Sequence, residues 1–94
     1  MPVALGRGML RITTIENPDS VTLKLEGKLL APWADEIRMA CWHAGRNLPV
    51  QLDLSQVTFA DQTGLALIQE FVRQGISISA CSNFISELLH RVQI

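Results

Sequence analysis

The chain has 94 residues, a formal charge of −1 and an apolar share of 48%. That suffices for one small core and a single domain over residues 1–94, and it excludes a general electrostatic pull toward nucleic acid. Arg7, Arg11, Lys24, Lys28, Arg38, Arg46, Arg73 and Arg91 are dispersed, whereas a nucleic-acid footprint needs a basic stripe. No apolar run approaches the ~20 residues of a membrane span, so no membrane insertion is expected. The start at Met1 to Gly8 is too short and too weakly apolar for a signal peptide, which makes the cytoplasm the expected compartment. Cys41 and Cys81 form no Cys-x-x-Cys pair and read as reduced, buried side chains. His43 and His90 lack companions at ligand spacing, so no metal and no cofactor is expected.

Gly6 and Gly8 mark a flexible start over residues 1–8. Met9 to Ile15 reads as a strand with Leu10, Ile12 and Thr14 on one face. Asn17-Pro18-Asp19-Ser20 is a turn by composition. Val21, Leu23 and Leu25 alternate with Thr22, Lys24 and Glu26 in a second strand, completing an antiparallel hairpin that Gly27-Lys28 closes. Pro32 suits a first helical turn, and Trp33, Ile37, Ala40, Cys41 and Ala44 make one apolar stripe. Gly45-Arg46-Asn47 ends that helix. Trp42 lies off the stripe beside Met39 and His43, a grouping that fits either a protein contact or partial cover by a loop.

Val50, Leu52 and Leu54 alternate with Gln51, Asp53 and Ser55, the period of a strand. A short loop then leads to Asp61, placed as an N-cap before a helix whose stripe is Leu65, Ile68, Phe71 and Val72, stopped by Gly75. Phe59 and Leu65 read as anchors of that loop in the core. Ile76, Ile78 and Ala80 form a fourth strand. Ser82 or Asn83 caps a last helix with Phe84, Ile85, Leu88, Leu89 and Val92 facing inward. Strands separated by helices imply parallel crossovers, and the opening hairpin makes the sheet mixed. The expected fold is α/β: a mixed four-stranded sheet with about three helices mainly on one face.

The string from Asp53 to Ile68, DLSQVTFADQTGLALI, resembles the central motif of STAS domains, the family of the anti-sigma factor antagonists. The family pattern is a strand ending in Asp-Leu-Ser, an apolar pair, then Asp-Ser-Ser/Thr-Gly opening a helix, and its first Ser is a phosphorylation switch. Asp61, Thr63, Gly64 and Leu65 match; Gln62 stands where the switch Ser would be and has no hydroxyl. The resemblance, which extends from about Met9 onward, implies a STAS fold and a protein-binding face. No phosphorylation is expected at Gln62. Thr63 offers a hydroxyl rotated by about 100° on the helix, where local backbone bonding is the plainer role. Gly64 permits close approach to a neighbouring strand, loop or partner backbone.

The partner-binding residues implied are Lys28, Thr58, Ala60, Asp61, Gln62, Thr63, Gly64, Ser82 and Asn83. The partner implied is an anti-sigma factor or kinase-like regulator; the alternative is the ATPase subunit of a (lipid) ABC transporter, since STAS domains without the Ser accompany such systems. Association of two copies stays open. No catalytic residues are expected: Asp53 alternates with core residues, Ser55 and Ser82 have no evident His partner, and no phosphate-cradling glycine motif is present.

Overall fold

The computed structural model describes the backbone of residues 3–7, 10–46 and 48–92, and the side chains of 10–46 and 48–90. Met9, Asn47 and the side chain of Val92, read above as part of a strand, a helix end and the core, lie outside the described residues.

The strands are β1 (Val3–Arg7), β2 (Leu10–Glu16), β3 (Val21–Leu29), β4 (Val50–Ala60) and β5 (Ser77–Cys81). The helices are α1 (Ala34–Ala44), α2 (Gln62–Arg73) and α3 (Asn83–Val92). The strands form one sheet in chain order, β1-β2-β3-β4-β5. The first two pairings are antiparallel and the last two parallel. The four expected strands are thus present as β2 to β5 in a mixed sheet. Within the stretch read above as a flexible start, Val3 to Arg7 pair with Leu10 to Thr14 as an edge strand. The free edge of β2 offers a ladder of unpaired backbone groups, and the segment just before it is the one close enough to take them.

Alternation places Leu10 and Ile12, Val21, Leu23 and Leu25, and Val50, Leu52 and Leu54 on one buried face. Ile37 and Cys41 of α1, Leu67, Ile68 and Phe71 of α2, and Ile85 of α3 complete a single cluster. The intervening Thr22, Lys24, Glu26, Gln51, Asp53 and Ser55 are half-buried on the opposite, polar face. Asn17 organises the β2–β3 turn: its amide N–H donates to the Ser20 carbonyl (2.9 Å), and its side chain donates to the Ser20 and Thr22 hydroxyls. Pro32 lies in a 3-10 turn, Ala31–Trp33, that leads into α1. Among the described residues no helix is long and apolar enough to cross a membrane.

Two strand readings change. β3 does not close at Gly27-Lys28 but continues to Leu29, and β4 does not give way to a loop after Ser55 but continues to Ala60. The pairing of β3 with β4 slips twice, between Lys24 and Glu26 and between Gly27 and Lys28, each time admitting an extra residue on β4. The buried positions of β4 therefore run 50, 52, 54, 57, 60, and the strict alternation fails while the strand persists. Gly27 sits at the second slip with φ 106°, a conformation open to glycine. Thr58 is the extra residue there, and its hydroxyl donates to the Gly27 carbonyl (3.3 Å).

The stripe of α2 is also rotated by one position. Gly64, Leu67, Ile68 and Phe71 are buried, whereas Val72 is exposed and Leu65 half-buried. The helix stops as expected at Gly75 (φ 90°): Gly75 N–H donates to Val72 O and Ile76 N–H to Phe71 O, the paired bonds of a Schellman stop. Cys41 is buried, and its burial pushes the thiol up to about 11; Cys81, contrary to expectation, is exposed on the edge strand β5. Both thiols are free.

Gly64 sets the phase of α2. A Cβ on it would lie 2.4 Å from the Leu29 carbonyl oxygen and 2.9 Å from the Leu29 Cβ. The neighbour is backbone of β3, which cannot turn aside. Gly64→Ala should therefore destabilise the domain by at least about 2 kcal/mol in urea unfolding, although alanine is the better helix former. An unchanged unfolding midpoint would show that the helix can retreat from β3 at no cost.

Candidate functional site

The residues assigned to partner binding gather where parallel strands β3 and β4 end side by side, Leu29 opposite Ala60. In open α/β sheets the carboxyl ends of the strands are where loops converge and ligands are met. Asp61 is the N-cap of α2 with extended backbone, as its position ahead of the helical period predicts. Its N–H donates to the Leu29 carbonyl (3.1 Å). One carboxylate oxygen accepts the Gly64 N–H (2.8 Å), and the other accepts the Ala31 N–H (2.9 Å). The side chain thus joins the start of α2 to the exit of β3. The Gly64 and Ala31 amides together hold the Asp61 carboxyl below the ordinary carboxylate range.

Around this clamp the surface divides. Gln62 and Thr63 are exposed in the first turn of α2, and Lys28, Thr58 and Asn83 are exposed nearby in the fold's connectivity. Ala60 (8% exposed) and Gly64, also expected at the contact, are buried: Ala60 fills the core and Gly64 seats α2 on Leu29. Of the alternatives left open for Gly64, the neighbouring strand is the one the structure supplies.

Ser82 is half-buried and fully engaged. Its hydroxyl donates to Val57 O (2.6 Å) and accepts the Ile85 N–H (3.2 Å), and its own N–H donates to Leu54 O (3.0 Å). It caps α3 and fastens it to β4, so of the two capping candidates it is Ser82 that fills the role.

Phe59 is a residue the sequence reading misplaced. It is 42% exposed rather than anchored in the core. The slip at Thr58 turns Val57 and Ala60 inward and leaves Phe59 on the outside. There its ring stacks on Phe84 at 5.7 Å and 30°, beside the helix-start surface. The alternation after Leu54 carries no signal for this, because the slips erase the period that would have announced it.

On the polar face of β4, Asp53 and Ser55 are bonded to each other. The Asp53 carboxylate accepts the Ser55 hydroxyl (2.6 Å) and the Ser55 N–H (2.9 Å). Burial opposes its ionisation, but those bonds and nearby Lys24 hold it below the ordinary value. Among the described residues no group of three or more His, Cys, Asp or Glu is placed to hold a metal ion.

Asp61 gives the clearest test. Asp61→Ala leaves two amides without their acceptor and should cost about 1–2 kcal/mol at neutral pH. Asp61→Asn keeps one acceptor but turns an NH2 toward the other amide, and should cost about 1 kcal/mol. Because the carboxyl titrates lower in the folded state, its contribution is whole above the ordinary carboxylate value and fades as pH falls through the lowered one. The gap between wild type and Asp61→Asn, measured by thermal melting, should close below about pH 4. A gap that ignores acidification would mean that the charge on Asp61 does not matter to the clamp.

Among solved structures the fold is similar to the crystal structure of Mglu in its native form, with TM-score 0.53 and 20% identity over 74% of this chain. The likeness is one of fold, and this chain accounts for 23% of the length of that one. Among curated proteins no match is found. The family model described as STAS domain matches residues 11–82, which takes in β2 through the Ser82 cap. With the Asp61 clamp and the Gly64 seat inside that stretch, the chain belongs to the STAS domain family.

Proposed function

We propose that this is a non-enzymatic regulatory domain that binds a protein partner through the start of α2 and the neighbouring strand ends, in a form not switched by phosphorylation at the family site. STAS domains generally mediate protein–protein interaction. The observation that carries the finer reading is Gln62, exposed at the first position of α2 where the phosphorylated Ser of the family resides. An amide cannot take a phosphate. The partner that best fits the resemblance is an anti-sigma factor or similar regulator, which the domain would antagonise constitutively. A second reading draws on the same missing hydroxyl and on the short likeness of Thr63 to Leu67 to transporter-associated members: a subunit that binds the ATPase of an ABC transporter.

Physical reasons support this face in either case. It is held between a strand and a helix and fastened by Asp61, so binding orders little that is not already ordered. Phe59 and Phe84 offer an aromatic pair already partly in water, with exposed Thr58 and Asn83 adjoining it in the chain. An apolar anchor with a polar rim is the usual composition of an interface centre.

Two measurements test the proposal. Incubation with an anti-sigma kinase and ATP should leave the chain at its unmodified mass; stoichiometric phosphate on Thr63 would restore a switch and refute the reading. Against a bound partner, Gln62→Glu and Phe59→Ala should each weaken affinity roughly tenfold or more, the first by placing charge in the contact and the second by removing its anchor. Full affinity in both variants would move the interface elsewhere.

A further inference from the structure

Helix α1 has two sides of opposite character. Ala34, Ile37 and Cys41 are buried against the core. On the far side Asp35, Met39 and Trp42 follow one another at intervals of four and three, the spacing of a seam along a helix. Arg46, just past the helix end, joins that seam, with its guanidinium carbon 5.4 Å from the centre of the Trp42 ring. Met39 and Trp42 are 54% and 62% exposed, the two most exposed large apolar side chains among the described residues, and neither belongs to the core cluster. The domain thus leaves an apolar pair uncovered at the middle of one helix.

The charges along the seam are sorted by sign. The first turn of α1 carries Asp35 and Glu36. Arg38 donates to Asp35 (3.2 Å) and also to both carboxylate oxygens of Glu70 on α2 (3.2 and 3.4 Å). Three carboxylates thus stand against one guanidinium, and this half of the face is acidic. The other half carries Arg46, which has no acidic partner among the described residues. Both α1 and α2 lead from the end of one parallel strand to the start of the next, so they run the same way, and Arg73 in the last turn of α2 lies toward the Arg46 end. The helix dipole places about half a charge of opposite sign at each end of α1. At the C-terminal ends it is further reduced, because Cys41 O accepts the Gly45 amide and Glu70 O the Gln74 amide. It tempers both halves and reverses neither.

We infer that this seam is an interface for a second copy of the chain, with the two α1 helices packed antiparallel about a two-fold axis. A two-fold contact requires a surface complementary to itself, and a face acidic at one end, basic at the other and apolar between is complementary when reversed. Met39 of each copy then lies on Trp42 of the other, a thioether against an aromatic ring. Arg46 of each meets Asp35 and Glu36 of the other. A parallel pair would set acid on acid and align the two dipoles. Beside the seam a groove of about 1010 Å³, lined by Met39, Trp42, Phe71 and Ile76 among others, gives the incoming indole a recess rather than a flat surface. One helix from each copy makes a small interface, so the pair is weak and depends on concentration. The regulatory contact proposed above uses the start of α2, so the two readings stand or fall separately.

The test is sedimentation of the full chain between about 10 µM and about 1 mM, the range in which a weak pair forms. The chain should pass from monomer to dimer, and the amide shifts of the 15N-labelled chain on dilution should centre on Asp35 to Arg46. Asp35→Arg and Arg46→Glu each set like charges across the axis, and each alone should associate roughly tenfold more weakly than wild type. Mixed in equal amounts, the two variants bring opposite charges together at both ends of the seam. The mixture should associate roughly tenfold more tightly than either variant alone, a recovery that lost folding or lost packing would not produce. Trp42→Ala should abolish association with melting unchanged, because the side chain is exposed. A monomer throughout the range, dilution shifts centred elsewhere, or a mixture that associates no better than its components would each overturn the inference.

Discussion

The Leu29 carbonyl is the point on which this domain is assembled. It accepts the Asp61 amide, and the bare α-carbon of Gly64 rests against it with no room for a methyl group. Two residues further on, the Ala31 amide is taken by the Asp61 carboxylate. Strand exit and helix entry are thereby locked within one turn of chain. The contact sets how far α2 slides along the sheet and which side of it faces inward. Leu67, Ile68 and Phe71 are buried because Gly64 is seated first. The exposed residues at positions 62 and 63 inherit their place from the same lock.

Much of this was legible beforehand, and the failures share one cause. The hairpin, the β4 core at Val50, Leu52 and Leu54, the cap at Asp61 and the stop at Gly75 all announce themselves through local chemistry: alternation, a carboxylate before a helical run, a glycine after it. Local chemistry is silent about register. Two slips between β3 and β4 convert what reads as a loop after Ser55 into strand, and carry Phe59 from the interior to the surface. The stripe of α2 was misphased because Leu65 and Val72 are as apolar as the residues that were buried. Only the fit of Gly64 against another strand decides between them, and that fit is non-local. β1 went unread because its pairing depends on the free edge of β2.

Function was legible at the level of a motif and less so at the level of a surface. Asp61, Thr63 and Gly64 could be recognised together, yet they do different things. Asp61 and Gly64 hold the fold, while Thr63 faces water. A motif that identifies a family therefore mixes residues that build the face with residues that present it. The polar face of the sheet, by contrast, is consistent with simple solvation: Lys24 stands opposite Asp53 on the neighbouring strand and favours the charged form of that carboxylate.

The order of the strands in the sheet, which equals their order in the chain, has a kinetic meaning. Each strand joins the edge left by its predecessor, and none has to be threaded between two already paired. A ribosome delivering the chain from its N-terminus can thus release a sheet that grows by accretion. Two antiparallel pairings close over short loops and form early, whereas β3 with β4 must wait for α1 to be made, the longer closure that slows folding. Until then β3 is an unprotected edge. The helix that follows β5 then covers the sheet: Ile85 is wholly buried, and the Ser82 hydroxyl is bonded to the Val57 carbonyl.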